Sequence, residues 1–121
     1  MTDTELHLRK FQKELSAGTV SLVLLSVLSH SSKPLYGYQI AKQLEQTQDA
    51  LLSSKQSALY PVLRNLHAAG LLDSLVEPSV DGPPRRYYTI TSMGREVLRS
   101  WTDTWSSARD AVDAILEGKL Q

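Results

Sequence analysis

Three groups of side chains in this 121-residue sequence have types and spacings suited to chemistry. Lys55, Ser57, Tyr60, Arg64 and His67 fall on one side of a helical repeat whose other side is Leu59, Val62, Leu63 and Leu66. Hydroxyls and cations so arranged donate to phosphate oxygens, and the Gln56 carboxamide in the same run matches the major-groove edge of adenine. Arg85 and Arg86 follow Pro83 and Pro84, which stiffen the turn. Arginines placed in this way enter a minor groove or clamp a phosphate. Trp101 and Trp105 stand one helical turn apart and offer flat aromatic surface to a planar or cationic ligand. Each group also has a plainer reading. The serines cap a helix, Lys55 is solvated, Tyr60 is half-buried core, Arg64 is in a surface salt bridge, the arginine hairpin is solvated, and the tryptophans fill an interface core.

Composition narrows the alternatives. There is no cysteine, which removes disulfides and thiolate metal sites. His7, His30 and His67 are scattered without carboxylates at ligand spacing, so no metal site is expected. No Ser-His-Asp order, glycine-rich phosphate loop or carboxylate pair stands out, so neither an enzyme nor a cofactor is expected. Formal net charge is zero. Lys33 to Arg95 carries seven Lys/Arg against five Asp/Glu, and the chain from Glu96 onward three against five. Any nucleic-acid footprint is therefore local, and binding through it is salt-sensitive. The first ten residues, MTDTELHLRK, are polar and charged, unlike a signal peptide. The apolar run around Leu22 to Leu25 is far shorter than the roughly 20 residues that span a bilayer. A cytoplasmic protein without a membrane partner is expected.

The elements that would position these groups follow from periodicity. Thr4 to Leu15 has Leu8, Phe11 and Leu15 on one stripe, and Gly18 predicts a break. A helix starting at Thr19 is apolar nearly all round and therefore buried. After Pro34, Leu35-Tyr36-Gly37-Tyr38 opens a short helix that ends near Thr47, with Ile40, Ala41 and Leu44 inward, and Leu51 and Leu52 anchor a connector. Ser53 to Leu72 reads as the second amphipathic helix, with Ser53 as cap, Gln56 closing a capping box and Gly70 as the stop. Two helices in series make a helix-turn-helix. Leu71–Glu77 and Arg85–Thr91 read as two strands around an Asp-Gly-Pro-Pro loop, a hairpin in the position of a wing. Neighbouring strand residues face opposite ways, so Arg85 and Arg86 need not serve equally, and one of Tyr87 and Tyr88 belongs to the core. Thr91 caps a last helix. Its seam, Leu98, Trp101, Trp105, Ala108, Val112 and Ile115, has steps of three, four, three, four and three. That is the heptad pattern of a helix lying along another helix.

The runs YGYQIAKQL (Tyr36–Leu44), ALYPVLRNLHAAGLL (Ala58–Leu72) and GPPRRYYTIT (Gly82–Thr91), with Gly94, resemble the PadR family of winged-helix transcriptional regulators in order and spacing. The likeness covers about Val20 to Leu116 and is closest to the small members with a short C-terminal helix. The family often has Gly then Ser or Thr before LYP, where this chain has Ser57 and Ala58. The resemblance implies a homodimer, a recognition helix from about residue 54 to 69, and repression relieved by a small molecule or a changed partner.

Residues and resemblance together lead to an α+β, mainly helical fold: a winged helix-turn-helix over residues 19–91, with an N-terminal dimer-associated helix (1–18) and a C-terminal dimerisation helix (92–121). The expected DNA-contacting set is Tyr38, Gln39, Ser54, Lys55, Gln56, Ser57, Tyr60, Arg64, Pro84, Arg85, Arg86 and Tyr87. Phe11, Leu15, Trp101 and Trp105 are the expected ligand site, for a small planar or aromatic effector at the dimer interface. The expected partners are a double-stranded operator and a second copy of the chain. The competing expectation is a winged-helix protein-interaction or sensor module with little DNA affinity, for which zero net charge is the argument.

Overall fold

The core draws on leucines far apart in the chain, and their placement dictates the architecture. The structure, a computed structural model, describes residues 2–49, 51–53 and 55–119. Helix α1 (Asp3–Ser29) sends Leu24, Leu25 and Leu28 into the core. Strand β1 (Leu35–Tyr36) leads into helix α2 (Gly37–Glu45), which buries Ile40, Ala41 and Leu44. Helix α3 (Gln56–Ala68) buries Leu59, Leu63 and Leu66. Strands β2 (Leu72–Glu77) and β3 (Arg85–Ile90) form the hairpin, and helix α4 (Ser92–Leu116) ends the fold. The sheet is antiparallel with order β1-β3-β2. This is the expected winged helix-turn-helix, mainly helical with one small sheet.

Three local expectations change. Helix α1 runs unbroken for 27 residues through Gly18. A glycine in a helix interior costs roughly 1 kcal/mol, and each buried leucine further along contributes roughly 2 kcal/mol, so the packing wins. The Thr19 hydroxyl also donates to the Leu15 carbonyl at 2.9 Å. As one helix, α1 is long and apolar enough to cross a membrane by length and composition, yet its carboxy-terminal leucines are the domain's own core. Second, α3 starts at Gln56, not at a Ser53 cap. Lys55 is the N-cap residue and supplies no side-chain cap. The connector follows its own turn, with the Asp49 carboxylate accepting from the amides of Leu51 (2.9 Å) and Leu52 (3.3 Å). Third, Leu35 and Tyr36 form a strand, pairing with Tyr88 and Tyr87.

Pro61 lies inside α3 and cannot donate to the Ser57 carbonyl, a loss of about 3 kcal/mol. Burial of Leu59, Leu63 and Leu66 at roughly 2 kcal/mol each offsets it. The helix stops at Gly70, φ +82°, in a Schellman arrangement: Leu71 N–H donates to Leu66 O at 3.0 Å and Gly70 N–H to His67 O at 3.0 Å.

That stop is joined to the start of α4. The Thr91 hydroxyl donates to Gly70 O at 2.8 Å and accepts from Gly94 N–H at 2.9 Å, and Thr91 N–H donates to Leu71 O at 3.1 Å. Gly94 is buried, and a Cβ added there would lie 2.2 Å from Leu71 O and 2.7 Å from Ile90 Cγ1. The alanine variant Gly94→Ala is expected to lose about 3 kcal/mol through this backbone clash. Thr91→Ala is expected to lose about 1 kcal/mol, and Thr91→Ser to keep most of it. Urea unfolding midpoints of the three variants check the ranking.

Candidate nucleic-acid interface

The amino-terminal half of α3 and the tip side of the wing border a groove of about 510 Å³, lined by Tyr36, Gly37, Gln56, Tyr60, Arg64, Ser79, Asp81, Pro83, Pro84, Arg85, Arg86 and Tyr88. Lys55, the N-cap residue of α3, gives it no side-chain cap, and the Ala58 N–H donates to the Lys55 carbonyl at 3.0 Å. The Gln56 side-chain amide donates to the Tyr60 hydroxyl. This leaves the phenolic proton of Tyr60 and the carbonyl oxygen of Gln56 for other partners. Tyr60 is 36% exposed, and its ring lies against Gly37, where an added Cβ would meet Cε1 at 2.7 Å. A bare backbone at the start of α2 therefore sets how closely α2 and α3 approach.

The sheet sorts the wing side chains onto two faces. Leu35, Tyr88 and Leu72 point to the core, with Tyr88 only 2% exposed. Arg86 shares that face, and its Nη1 donates to Ser74 Oγ at 2.8 Å, while Ser74 Oγ lies 3.4 Å from His67 Nε2. Arg86 is thus tied through Ser74 to the end of α3. Arg85 and Tyr87 lie on the outward face with Tyr36. The Arg85 guanidinium sits 4.6 Å from the Tyr36 ring centre, and Tyr87 meets that ring edge-on at 5.2 Å. Tyr38 stacks behind Tyr36 at 6.2 Å, and Lys42 Nζ lies 5.6 Å from the Tyr38 ring.

The cations at and beside the groove stand outside ion pairs, although Asp81 shares its lining. Among the described residues the ion pairs are Lys42–Glu45, Arg109–Asp110 and Lys119–Glu117, so Lys55, Arg64, Arg85 and Arg86 stand in none. The salt bridge considered for Arg64 does not form. Burial pushes the Tyr88 phenol above its ordinary value, while the Arg86 and Arg64 guanidiniums pull it back and Tyr60 adds to the push. A groove with guanidiniums outside ion pairs and phenol donors, beside the start of α3, suits a polyanion.

Comparison with known proteins fits this geometry. Residues 24–100 match the model of the transcriptional regulator PadR-like family. The chain belongs to the PadR-like family of transcriptional regulators. A PadR family transcriptional regulator from Eggerthella lenta DSM 2243 is 32% identical, superimposes with a TM-score of 0.79, and is covered over 96% of its length by 94% of this chain. A transcriptional regulator from Clostridium thermocellum is 25% identical with a TM-score of 0.73, over 83% of this chain and 95% of that one. A curated relative from Lysinibacillus sphaericus, described as an uncharacterized protein, is 28% identical over 98 residues, 81% of this chain and 87% of its own.

On this PadR-like scaffold the residues singled out in the sequence are distributed unevenly. Gln56, Tyr60, Arg64, Pro84, Arg85 and Arg86 share the groove, with Lys55 and Ser57 exposed at the helix start beside it. Tyr38 is on the outer aromatic row, 48% exposed. The Gln39 carboxamide accepts the Tyr36 N–H at 3.1 Å and so serves the start of α2. Ser54 lies outside the described residues. Sequence reasoning missed Tyr36, Gly37, Lys42 and Ser74 as members of the site. Tyr36 and Gly37 belong to the conspicuous Tyr-Gly-Tyr run, but only strand pairing of Tyr36 with Tyr87 brings that run to the wing.

The tryptophans sit elsewhere. Trp101 and Trp105 line a groove of about 340 Å³ between α1 and α4 with Ala17, Gly18, Ser21, Leu22, Thr104 and Ala108. Trp105 also borders a second groove with Leu15, Leu51 and Leu52. Phe11 is exposed further along α1.

Tyr88 gives this fold a pH dependence. The unfolded chain releases the phenolic proton near pH 10, while the buried phenol holds it to higher pH. Between those values the native state binds more protons, so stability falls as pH rises. The Tyr88→Phe variant is expected to keep stability near pH 7 and to lose less than the parent between pH 9 and 11. Urea midpoints across that range measure the difference.

Proposed function

We propose that the chain is a homodimeric, sequence-specific DNA-binding repressor that recognises a palindromic operator and responds to a small planar or aromatic effector. The reading is carried by the groove between α3 and the wing, where Arg64, Arg85 and Arg86 line one space with Tyr60 and outnumber its one acidic residue, Asp81, and where none of the three is in an ion pair among the described residues. Helix α3 lies in the major groove with Lys55, Gln56 and Ser57 foremost, and the wing arginines hold flanking backbone. The chemistry is recognition only, without catalysis, and its place is the cytoplasm.

Apolar surface supports the dimer. Leu6, Leu8 and Phe11 on α1 and Val112, Ile115 and Leu116 on α4 are each more than half exposed. The heptad seam divides its work: Leu98 and Trp101 pack against the subunit's own core, and Trp105, Ala108, Val112 and Ile115 continue outward to a second copy. Residues 1–18 and 92–121 then act as the dimerisation parts around a DNA-binding unit of residues 19–91. The effector reading rests on the groove between α1 and α4, whose walls include both indoles. An occupant there alters the spacing of the two recognition helices and weakens the complex.

Footprinting on the DNA upstream of the chain's own gene is expected to show two half-sites about one helical turn apart. The double variant Arg85→Ala/Arg86→Ala is expected to bind at least about tenfold more weakly at moderate salt, with a salt slope smaller by roughly 2. A parent that binds none of this DNA favours a protein-interaction module instead.

For the effector groove, a planar aromatic cation is expected to quench tryptophan fluorescence in the parent and much less in Trp105→Leu. Equal quenching in both removes that site.

A further inference from the structure

We propose that Tyr36 is a positioning residue for DNA binding. Its ring holds the Arg85 guanidinium at the mouth of the groove between α3 and the wing, with the N–H edge turned to a backbone phosphate. The proposal rests on the operator-binding reading above and adds how the wing arginine is aimed.

The neighbours of Arg85 make the case. In the hairpin its register partner is Glu77 on β2, and both lie on the outward face. A cross-strand Glu–Arg pair at that position is the ordinary outcome. It does not form: among the described residues neither Arg85 nor Glu77 is in an ion pair. The guanidinium instead leans across β3 to the other side and rests 4.6 Å from the Tyr36 ring centre. That choice leaves Arg85 outside any ion pair among the described residues and seats its Cζ over the Tyr36 ring. A guanidinium lying face-on over a ring keeps its five in-plane N–H donors free.

The ring that receives Arg85 is itself held. Tyr36 is paired in the sheet with Tyr87 and touched edge-on by the Tyr87 ring, with ring centres 5.2 Å apart and planes at 65°. Tyr38 stacks behind it at 6.2 Å, with planes 23° apart. The Tyr36 N–H is anchored on Gln39 Oε1. Lys42 over the Tyr38 ring closes the far end. A long, rotamer-rich arginine on a hairpin would ordinarily be ordered only when DNA arrives; here an aromatic platform orders it beforehand.

The test uses the full-length chain and the duplex upstream of its own gene, with anisotropy titrations at several salt concentrations and thermal melts as a control for folding. Tyr36→Phe keeps the ring and is expected to bind within about twofold of the parent. Tyr36→Leu and Arg85→Ala are each expected to bind about two- to fivefold more weakly. Tyr36→Leu is expected to lower the salt slope toward the Arg85→Ala value, and the double variant to be no worse than Arg85→Ala alone. Arg85→Lys keeps the charge and slope but loses affinity.

In the free protein, the Arg85 Nε–Hε resonance, identified by its loss in Arg85→Ala, is expected to show a ring-current shift that Tyr36→Phe retains. Additive losses, an unshifted resonance, or Arg85→Lys binding as tightly as the parent overturns the positioning role. The last two results decide even where Tyr36→Leu does not fold. A parent that binds no such duplex overturns the operator reading and this proposal with it, whereas additive losses in a parent that binds overturn the proposal alone.

Discussion

Everything that faces outward in this protein is referred to one backbone contact, the seating of the Leu71 carbonyl against Gly94. The carbonyl occupies the space a side chain would take at residue 94 and accepts the Thr91 N–H, while the Thr91 hydroxyl holds the Gly70 carbonyl. Four elements end or begin within those few residues: α3 stops, β2 starts, β3 ends and α4 starts. A hydroxyl that both donates and accepts, beside a residue without a side chain, is the smallest arrangement that lets them converge. The carboxy-terminal end of α3 is fixed to the wing here, some distance from the groove the two border.

A second close approach sets the other side of the groove. Tyr60 lies on the bare backbone of Gly37, so α2 and α3 are drawn together at their amino-terminal ends. The sheet then divides the wing arginines by strand alternation. Arg86 faces inward and joins Ser74 and the end of α3, whereas Arg85 faces outward to the aromatic row. Two adjacent residues of one type therefore do different work. One braces the wing against the helix, and the other presents charge at its edge.

Much of this was legible in the sequence, for reasons that can be named. The inward stripes of α2 and α3 follow from residue spacing alone, because a helix buries what recurs every three or four positions. The hairpin follows from β-forming residues on either side of a proline-rich turn, and the cap at Thr91 follows from local chemistry. What periodicity could not supply was anything decided by distant contacts. Gly18 looked like a break because a helix-stop reading weighs only neighbours, whereas the core packing of Leu24, Leu25 and Leu28 carries α1 through it. Ser53 looked like a cap, yet the turn around Asp49 governs that segment and α3 begins later. The two residues of β1 are too short to show an alternation, and their strand character exists only because β3 lies alongside. The contact between Tyr36 and Arg85 was hidden for the same reason.

The brevity of β1 has a consequence for the order in which the protein assembles. Two paired residues have no stability apart from the sheet they join. The hairpin of β2 and β3 closes a short loop, whereas β1 meets β3 only after some fifty intervening residues have been gathered in, which is entropically the slower event. The β1 edge therefore closes after the hairpin, and Leu35 ties it into the leucine core. The aromatic row is built on that edge, so its order depends on the pairing of β1 with β3, a long-range contact that the hairpin alone does not supply.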